Sequence, residues 1–173
     1  MWSRFYDGEE WRLAKTGRIG DQEYWRRLLE PLGLNTPASR HAWVQRLFRP
    51  FEHVHPRMRD LLEQLRRHYR LALLSNASDW LATALKDEFR LDGVFDVVVI
   101  SALVGMAKPD PAIYELALER LGLPAAATLF IDDQARNTRA AEALGIPSLV
   151  FPGVAGLWAE LRSRGILDAA NPL

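Results

Sequence analysis

Leu129-Phe130-Ile131-Asp132-Asp133, followed by Gln134-Ala135-Arg136-Asn137, is the stretch whose reading decides the fold. Three apolar residues run straight into two adjacent carboxylates, and a helical pattern starts directly afterwards. This is the signature of a buried parallel strand, residues 128–132, that ends in a doubly charged turn. In an open α/β sheet, ligands bind in the crevice beyond the carboxyl ends of the strands. Two neighbouring acids there repel each other unless a cation sits between them. Oxygen-rich sites of this kind suit Mg²⁺, which takes one or two carboxylates and keeps water and phosphate as its other ligands. Asp is also a good N-cap, so one of the pair has a second reading as the start of the following helix.

Working outward, the same alternation recurs on both sides. Leu71-Ala72-Leu73-Leu74 reads as a short strand ending at Ser75-Asn76, and Val97-Val98-Val99-Ile100 as another. Ser148-Leu149-Val150-Phe151 is a further strand. Between them lie helical patterns. One carries Met58, Leu61, Leu62 and Leu65, and a second begins near Ser78-Asp79. A third has Asp110 as N-cap and Pro111 at its first position, buries Tyr114, Ala117, Leu118 and Leu121, and stops at Gly122. A small-residue helix (Ala140, Ala141, Leu144, Gly145) and a last one around Leu157–Arg164 complete the series. Strands alternating with helices predict an α/β fold with a doubly wound parallel sheet covered on both faces.

Residues 1–50 look entirely helical. Asp21 is placed to cap a helix whose apolar positions Trp25, Leu28, Leu29 and Leu32 recur at helical spacing, with Gly33 at its end. Val44, Leu47, Phe48 and Phe51 form a second stripe after the Pro37-Ala38-Ser39 break. The opening segment, with Trp2, Phe5, Tyr6, Trp11 and Leu13, stops near Gly17 and Gly20. Most of these aromatics are expected to be core, with Trp11 or Trp43 as candidates for lining a substrate entrance. The boundary falls near residue 52, giving a small helical lobe (1–51) and an α/β core (52–173).

Composition narrows the function classes. The 173 residues are 49% hydrophobic and include six Trp, enough for a real core. A formal net charge of zero provides no general attraction to nucleic acid or an anionic membrane. The absence of Cys removes disulfides, thiolate catalysis and Cys-based zinc sites. Met1–Asp7 has no apolar core of a signal peptide, and no apolar run approaches the ~20 residues of a membrane span. A soluble, cytoplasmic protein is expected.

Three strand-end features are then expected on one rim: Ser75-Asn76, the loop Gly105-Met106-Ala107-Lys108-Pro109-Asp110, and Asp132-Asp133. A hydroxyl, an ammonium and paired carboxylates are what a phosphate monoester with its Mg²⁺ requires. The hydroxyl and backbone amides donate to phosphate oxygens, lysine offsets charge on the transferring group, and carboxylates hold the metal.

On these residues the chain resembles the haloacid dehalogenase (HAD) superfamily, in the subfamily with a small helical cap. "LALLSNAS" is similar to the family's second motif, "VGMAKPDPAIY" to the third and "LFIDDQARNTRAAEALGIP" to the fourth. "AKTGRIGDQEYWRRLLEPLGL" has the look of its cap. The resemblance runs from about residue 10 to 167 and implies a Rossmann-like core. It implies Ser75 and Lys108 as catalytic and phosphate-binding residues, Asn76 as a phosphate-binding residue, and a Mg²⁺ cofactor. Asp133 would be the main metal ligand, Asp132 its neighbour, and Asn137 stands where many relatives have a second Asp. Sugar-phosphate phosphatases and the phosphatase domain fused to epoxide hydrolases look nearest, which implies a small phosphorylated metabolite as substrate. L-2-haloacid dehalogenases are the neighbouring chemistry. They need no metal, and the Asp132-Asp133 pair argues against them.

One departure stands out. The family's first motif is an apolar strand ending in Asp-x-Asp, which supplies the nucleophile and the general acid/base. "SRFYDGEEW" has neither the apolar run nor the spacing. The chain as given is therefore expected to lack turnover by the family mechanism, which needs that nucleophile, while weak Mg²⁺ and phosphate binding persist. An internal start or a fragment is the expected cause, with a naturally silent, non-catalytic binding or interaction remnant as the alternative. The missing strand is the central one. Its loss would leave two unpaired inner edges beside the strands at 71–75 and 128–132, a route to self-association.

A phosphoacceptor receiver domain is excluded by residue order, since its acids precede its hydroxyl and lysine. His53 and His55, in Glu52-His53-Val54-His55, read as a solvated connector, and Arg26-Arg27 and Arg66-Arg67 as solvated helix faces. Gly153-Val154-Ala155-Gly156 is not a dinucleotide fingerprint.

Overall fold

A computed structural model of the chain describes residues 3–47 and 53–167. These divide into two compact units. The first combines the helical segment up to residue 54 with 73–92 and 99–107, and the second holds 55–72, 93–98 and 108 onward. The lobe boundary expected at residues 51 and 52 lies outside the described residues.

In the first unit, α1 (Ser3–Tyr6), α2 (Glu9–Ala14), α3 (Asp21–Leu29) and α4 (Pro37–Leu47) form the expected helical segment. Its core is Phe5, Ala14, Tyr24, Trp25, Leu29 and Val44, with Trp11, Ile19, Leu28, Leu34 and Trp43 packed against it. Trp11 and Trp43 thus contribute to this core. Tyr24 sits edge-on to Trp25 with ring centroids 5.0 Å apart, and its hydroxyl donates to the Phe5 carbonyl. Burial first, and then Tyr6 and nearby acids, holds that phenol well above its ordinary range. After α3 a 3₁₀ turn (Glu30–Leu32) ends at Gly33 in the left-handed conformation, at the expected stop.

Two expectations here need correction. Asp21 is not the cap of α3 but its first residue. Gly20 occupies the cap position without a side-chain bond. The Asp21 amide donates to Asp79 Oδ1 at 2.8 Å, and its own carboxylate accepts from the Ser78 hydroxyl at 2.7 Å. An orphan amide of the first turn is satisfied by a carboxylate 58 positions away, which no local pattern reveals. Leu47 is 43% exposed rather than buried. It lies at the end of α4, and its expected partners Phe48 and Phe51 fall outside the described residues.

In the second unit, α5 (Pro56–Leu65) is capped by His55, whose Nδ1 accepts from the Arg57 amide at 3.2 Å. His55 is exposed, as expected of a solvated connector, and in addition caps the start of the helix. α8 (Pro111–Leu121) starts and stops as its sequence signals require. The Asp110 carboxylate accepts from the Ala112 amide at 3.0 Å, and Gly122 takes the left-handed conformation (φ 66°). Asp110→Ala should cost about 1 kcal/mol of stability, read as a lower urea midpoint at unchanged slope.

The strands are β1 (Ala72–Ser75), β2 (Val97–Ile100), β3 (Phe130–Asp132) and β4 (Ser148–Val150). With α6 (Trp80–Asp87), the short α7 (Ser101–Val104), α9 (Ala135–Ala143) and α10 (Val154–Ser163) they complete the alternation. β3 and β4 pair in parallel, with Phe130, Ile131 and Asp132 opposite Ser148, Leu149 and Val150. Leu129, Ile131 and Leu149 pack on a core of Leu61, Leu157, Trp158, Leu161 and Leu167. The single sheet read from the alternation is, among the described residues, two two-stranded sheets, β1–β2 and β3–β4. No helix among the described residues is long and apolar enough to cross a membrane.

Candidate active site

The site in the second unit is built on the end of β3. Asp132 is the last residue of β3 and Asp133 lies in the bend just beyond it, which separates the two acids. Asp132 is buried and Asp133 is exposed. The cation that the acidic pair demanded is present for Asp132: Lys108 Nζ lies 2.6 Å from its Oδ2. Both partners are almost sequestered, with 9% and 4% of their side chains exposed.

The other oxygen of Asp132 is equally committed. Oδ1 accepts from the Gln134 backbone amide and from the Asn137 side-chain amide, each at 2.8 Å. Burial pushes the Asp132 carboxyl up. The hydrogen bonds from Lys108, Gln134 and Asn137, together with the lysine charge, outweigh it and hold the group below its ordinary value. Asp132 therefore stays ionised and fixes Lys108.

Two aromatics close the network. Lys108 Nζ stands 5.5 Å from the centroid of the Phe130 ring, within cation–π range. Phe130 meets Tyr114 edge-on, with centroids 5.4 Å apart at 83°. The Tyr114 hydroxyl donates to the Asn137 carbonyl at 3.0 Å, and burial followed by the Asp132 charge pushes it up to about 12. Neither aromatic was singled out as a site residue in the sequence. Strand parity carried the signal for Phe130, which sits two residues before Asp132 and so shares its face. Tyr114 read only as part of a buried helical stripe.

Lys108, Asp132 and Asn137 are thus brought together, with Asp133 beside them at the surface. Ser75 and Asn76 stand half-buried at the end of β1, in the first unit. Among the described residues no group of three His, Cys, Asp or Glu side chains is placed to cage a metal. Asn137 Oδ1 is buried without a hydrogen-bond partner, and Asp133 is exposed. One exposed carboxylate and one orphaned amide oxygen fit Mg²⁺, which is often held by few protein ligands and completed by water and phosphate.

A charged network at the carboxyl end of a parallel strand lies where α/β sheets bind their ligands. The family model of haloacid dehalogenase-like hydrolases matches residues 4–145, and the chain belongs to that family. A sesquiterpene phosphatase of Aspergillus oryzae is 29% identical over 157 residues, covering 90% of this chain and 79% of that protein. An (S)-2-haloacid dehalogenase of a Pseudomonas species is 35% identical over 99 residues, covering 57% of this chain and 41% of the enzyme. Among solved structures, a HAD family enzyme of Bacteroides thetaiotaomicron in complex with magnesium and inorganic phosphate superposes with a TM-score of 0.73 at 28% identity. The match covers 90% of this chain and 80% of that one. Most of the curated relatives compared are longer, the chain spanning 5% to 65% of their length, against 79% for the fungal phosphatase.

Proposed function

We propose that this chain carries the phosphate- and Mg²⁺-binding part of a phosphomonoester phosphatase site that acts on a small phosphorylated metabolite of the sugar-phosphate type. The observation that carries the reading is the buried Lys108, held by Asp132, beside the exposed Asp133 at the end of β3. Lys108 would neutralise charge on the phosphoryl oxygens. Asp132 would keep the ammonium in place. Asp133, with Asn137, would hold Mg²⁺, which when bound offsets further charge on the phosphate. Ser75 and Asn76 keep the role of phosphate-oxygen donors on their sequence motif alone. The magnesium and phosphate bound to the Bacteroides relative support this assignment, as does the activity in the fungal relative's name.

No Asp-x-Asp occurs anywhere in the sequence. Without that nucleophile the chain should bind phosphate and Mg²⁺ but not turn over esters. The likeness to a haloacid dehalogenase favours a second reading, hydrolysis of a 2-haloacid. An exposed acid beside the buried pair is less use to that metal-free chemistry.

Calorimetric titration with inorganic phosphate, with and without Mg²⁺, tests the proposal. Mg²⁺-dependent binding is expected, weakened at least about tenfold in Asp133→Asn, with no turnover of p-nitrophenyl phosphate. Binding indifferent to both Mg²⁺ and Asp133 would overturn the metal assignment. Clear turnover that disappears in Asp133→Ala would overturn the predicted inactivity, and halide release from a 2-haloacid would favour the dehalogenase reading.

A further inference from the structure

Of the chain's three lysines, Lys15, Lys86 and Lys108, only Lys108 is buried. A buried ammonium on a flexible four-carbon stem has several ways to satisfy its charge. The Asp132 carboxylate sets its distance at 2.6 Å. A further fixed surface is the face of Phe130, 5.5 Å from Nζ, and that ring packs near-perpendicular to Tyr114. Tyr114 is anchored by its bond to the Asn137 carbonyl, and the Asn137 side chain bonds Asp132. The chain of contacts thus returns to the carboxylate that holds the lysine.

We propose that Phe130 is a positioning residue for this site: its ring face, braced by Tyr114, sets the direction in which the Lys108 ammonium is presented to a phosphate oxygen. The inference deepens the proposed function and rests on it where phosphate is concerned. Phe130 does not touch the ligand in this scheme and acts only through Lys108. The attraction is electrostatic, between the ammonium and the negative face of the ring. It therefore depends on ring electron density and not on ring volume alone.

That dependence provides the test. Phenylalanines carrying one, two and three fluorines are placed at position 130, which withdraws electron density while nearly preserving shape. Phe130→Tyr and Phe130→Leu complete the set. Two quantities are read: affinity for inorganic phosphate in the presence of Mg²⁺, and the Lys108 Cε proton shift in a sample with labelled lysine, where three lysines give a readily assigned spectrum. In the parent protein the ring current should move the Lys108 Cε protons upfield of those of the exposed Lys86, and Phe130→Leu should abolish that displacement. Phosphate affinity should fall stepwise with fluorination and about threefold or more in Phe130→Leu, with recovery in Phe130→Tyr.

A purely packing role for Phe130 predicts no trend with fluorination, and that result overturns the proposal. Equally damaging would be Lys108 Cε shifts indistinguishable from those of Lys86. Lys108→Ala separates the two levels of inference. If it binds phosphate as the parent does, the phosphate assignment of the site fails, and the positioning role for phosphate fails with it. If it loses binding while the fluorinated series stays flat, only the role of Phe130 fails.

Discussion

Lys108→Met should cost about 3–5 kcal/mol of stability at neutral pH, because it strands a buried carboxylate whose ion-pair partner is gone. The Asp132 side chain is 4% exposed and keeps only the Gln134 and Asn137 amides as partners. The pH dependence of the two proteins should then differ in sign. In the parent, the folded-state pKa of Asp132 lies below its ordinary value of 3.8. Its stabilising contribution is therefore complete above about pH 4 and is lost as pH falls through the lower, folded value. In Lys108→Met the largest remaining influence is burial, which raises the folded pKa. Protonation then relieves the buried charge, so the variant's deficit should shrink as pH is lowered from 7 towards 4. Urea denaturation at several pH values measures both curves. A deficit that stays constant over that range would mean that Asp132 is not the charge being stranded. Adding Asp132→Asn to Lys108→Met should recover part of the loss at pH 7, since the double substitution removes the stranded charge.

The second large effect lies in the helical unit. Gly17 adopts φ +70°, and a Cβ built on it would fall 2.1 Å from the Ala102 carbonyl oxygen. That oxygen belongs to backbone, and the Ala102 amide is itself tied to the Ala77 carbonyl at 3.3 Å, so the obstacle is not a side chain that swings aside. Gly17→Ala therefore combines a left-handed conformation with a backbone clash. A loss of about 3–5 kcal/mol is expected, at the upper end for a single substitution. Gly33→Ala is the control. Its φ is +82°, but nothing lies within 4 Å of the added carbon. It should lose only the conformational part, about 1–2 kcal/mol. Equal losses in the two variants by equilibrium denaturation would show that the Ala102 contact does not matter.

Much of the fold was legible because it is encoded locally. Apolar spacing placed α5, α8 and α9, Asp110 and Gly122 bounded α8, and short apolar runs placed the four strands of the described residues to within two positions. The same reading put Lys108, Asp132 and Asn137 in one candidate site with Ser75, Asn76 and Asp133, and hydrogen bonds join the first three. What stayed hidden depends on partners far along the chain. Asp21 has every local mark of an N-cap, yet it bonds to Ser78 and Asp79. His55 is solvent-exposed as a connector should be, but its ring nitrogen also accepts from the Arg57 amide, a cap that the sequence pattern did not announce.

The sequence by itself determined that this is an α/β chain of the haloacid dehalogenase-like type whose strand 130–132 ends in two acids. It also determined that no Asp-x-Asp accompanies them, since residue type and order need no coordinates. Only the tertiary structure decided how the two acids divide. Asp132 turns inward to a lysine 24 positions earlier, and Asp133 turns out to solvent. Strand alternation makes the two sides of a strand different, but burial of a charge depends on which distant side chain is packed against each side.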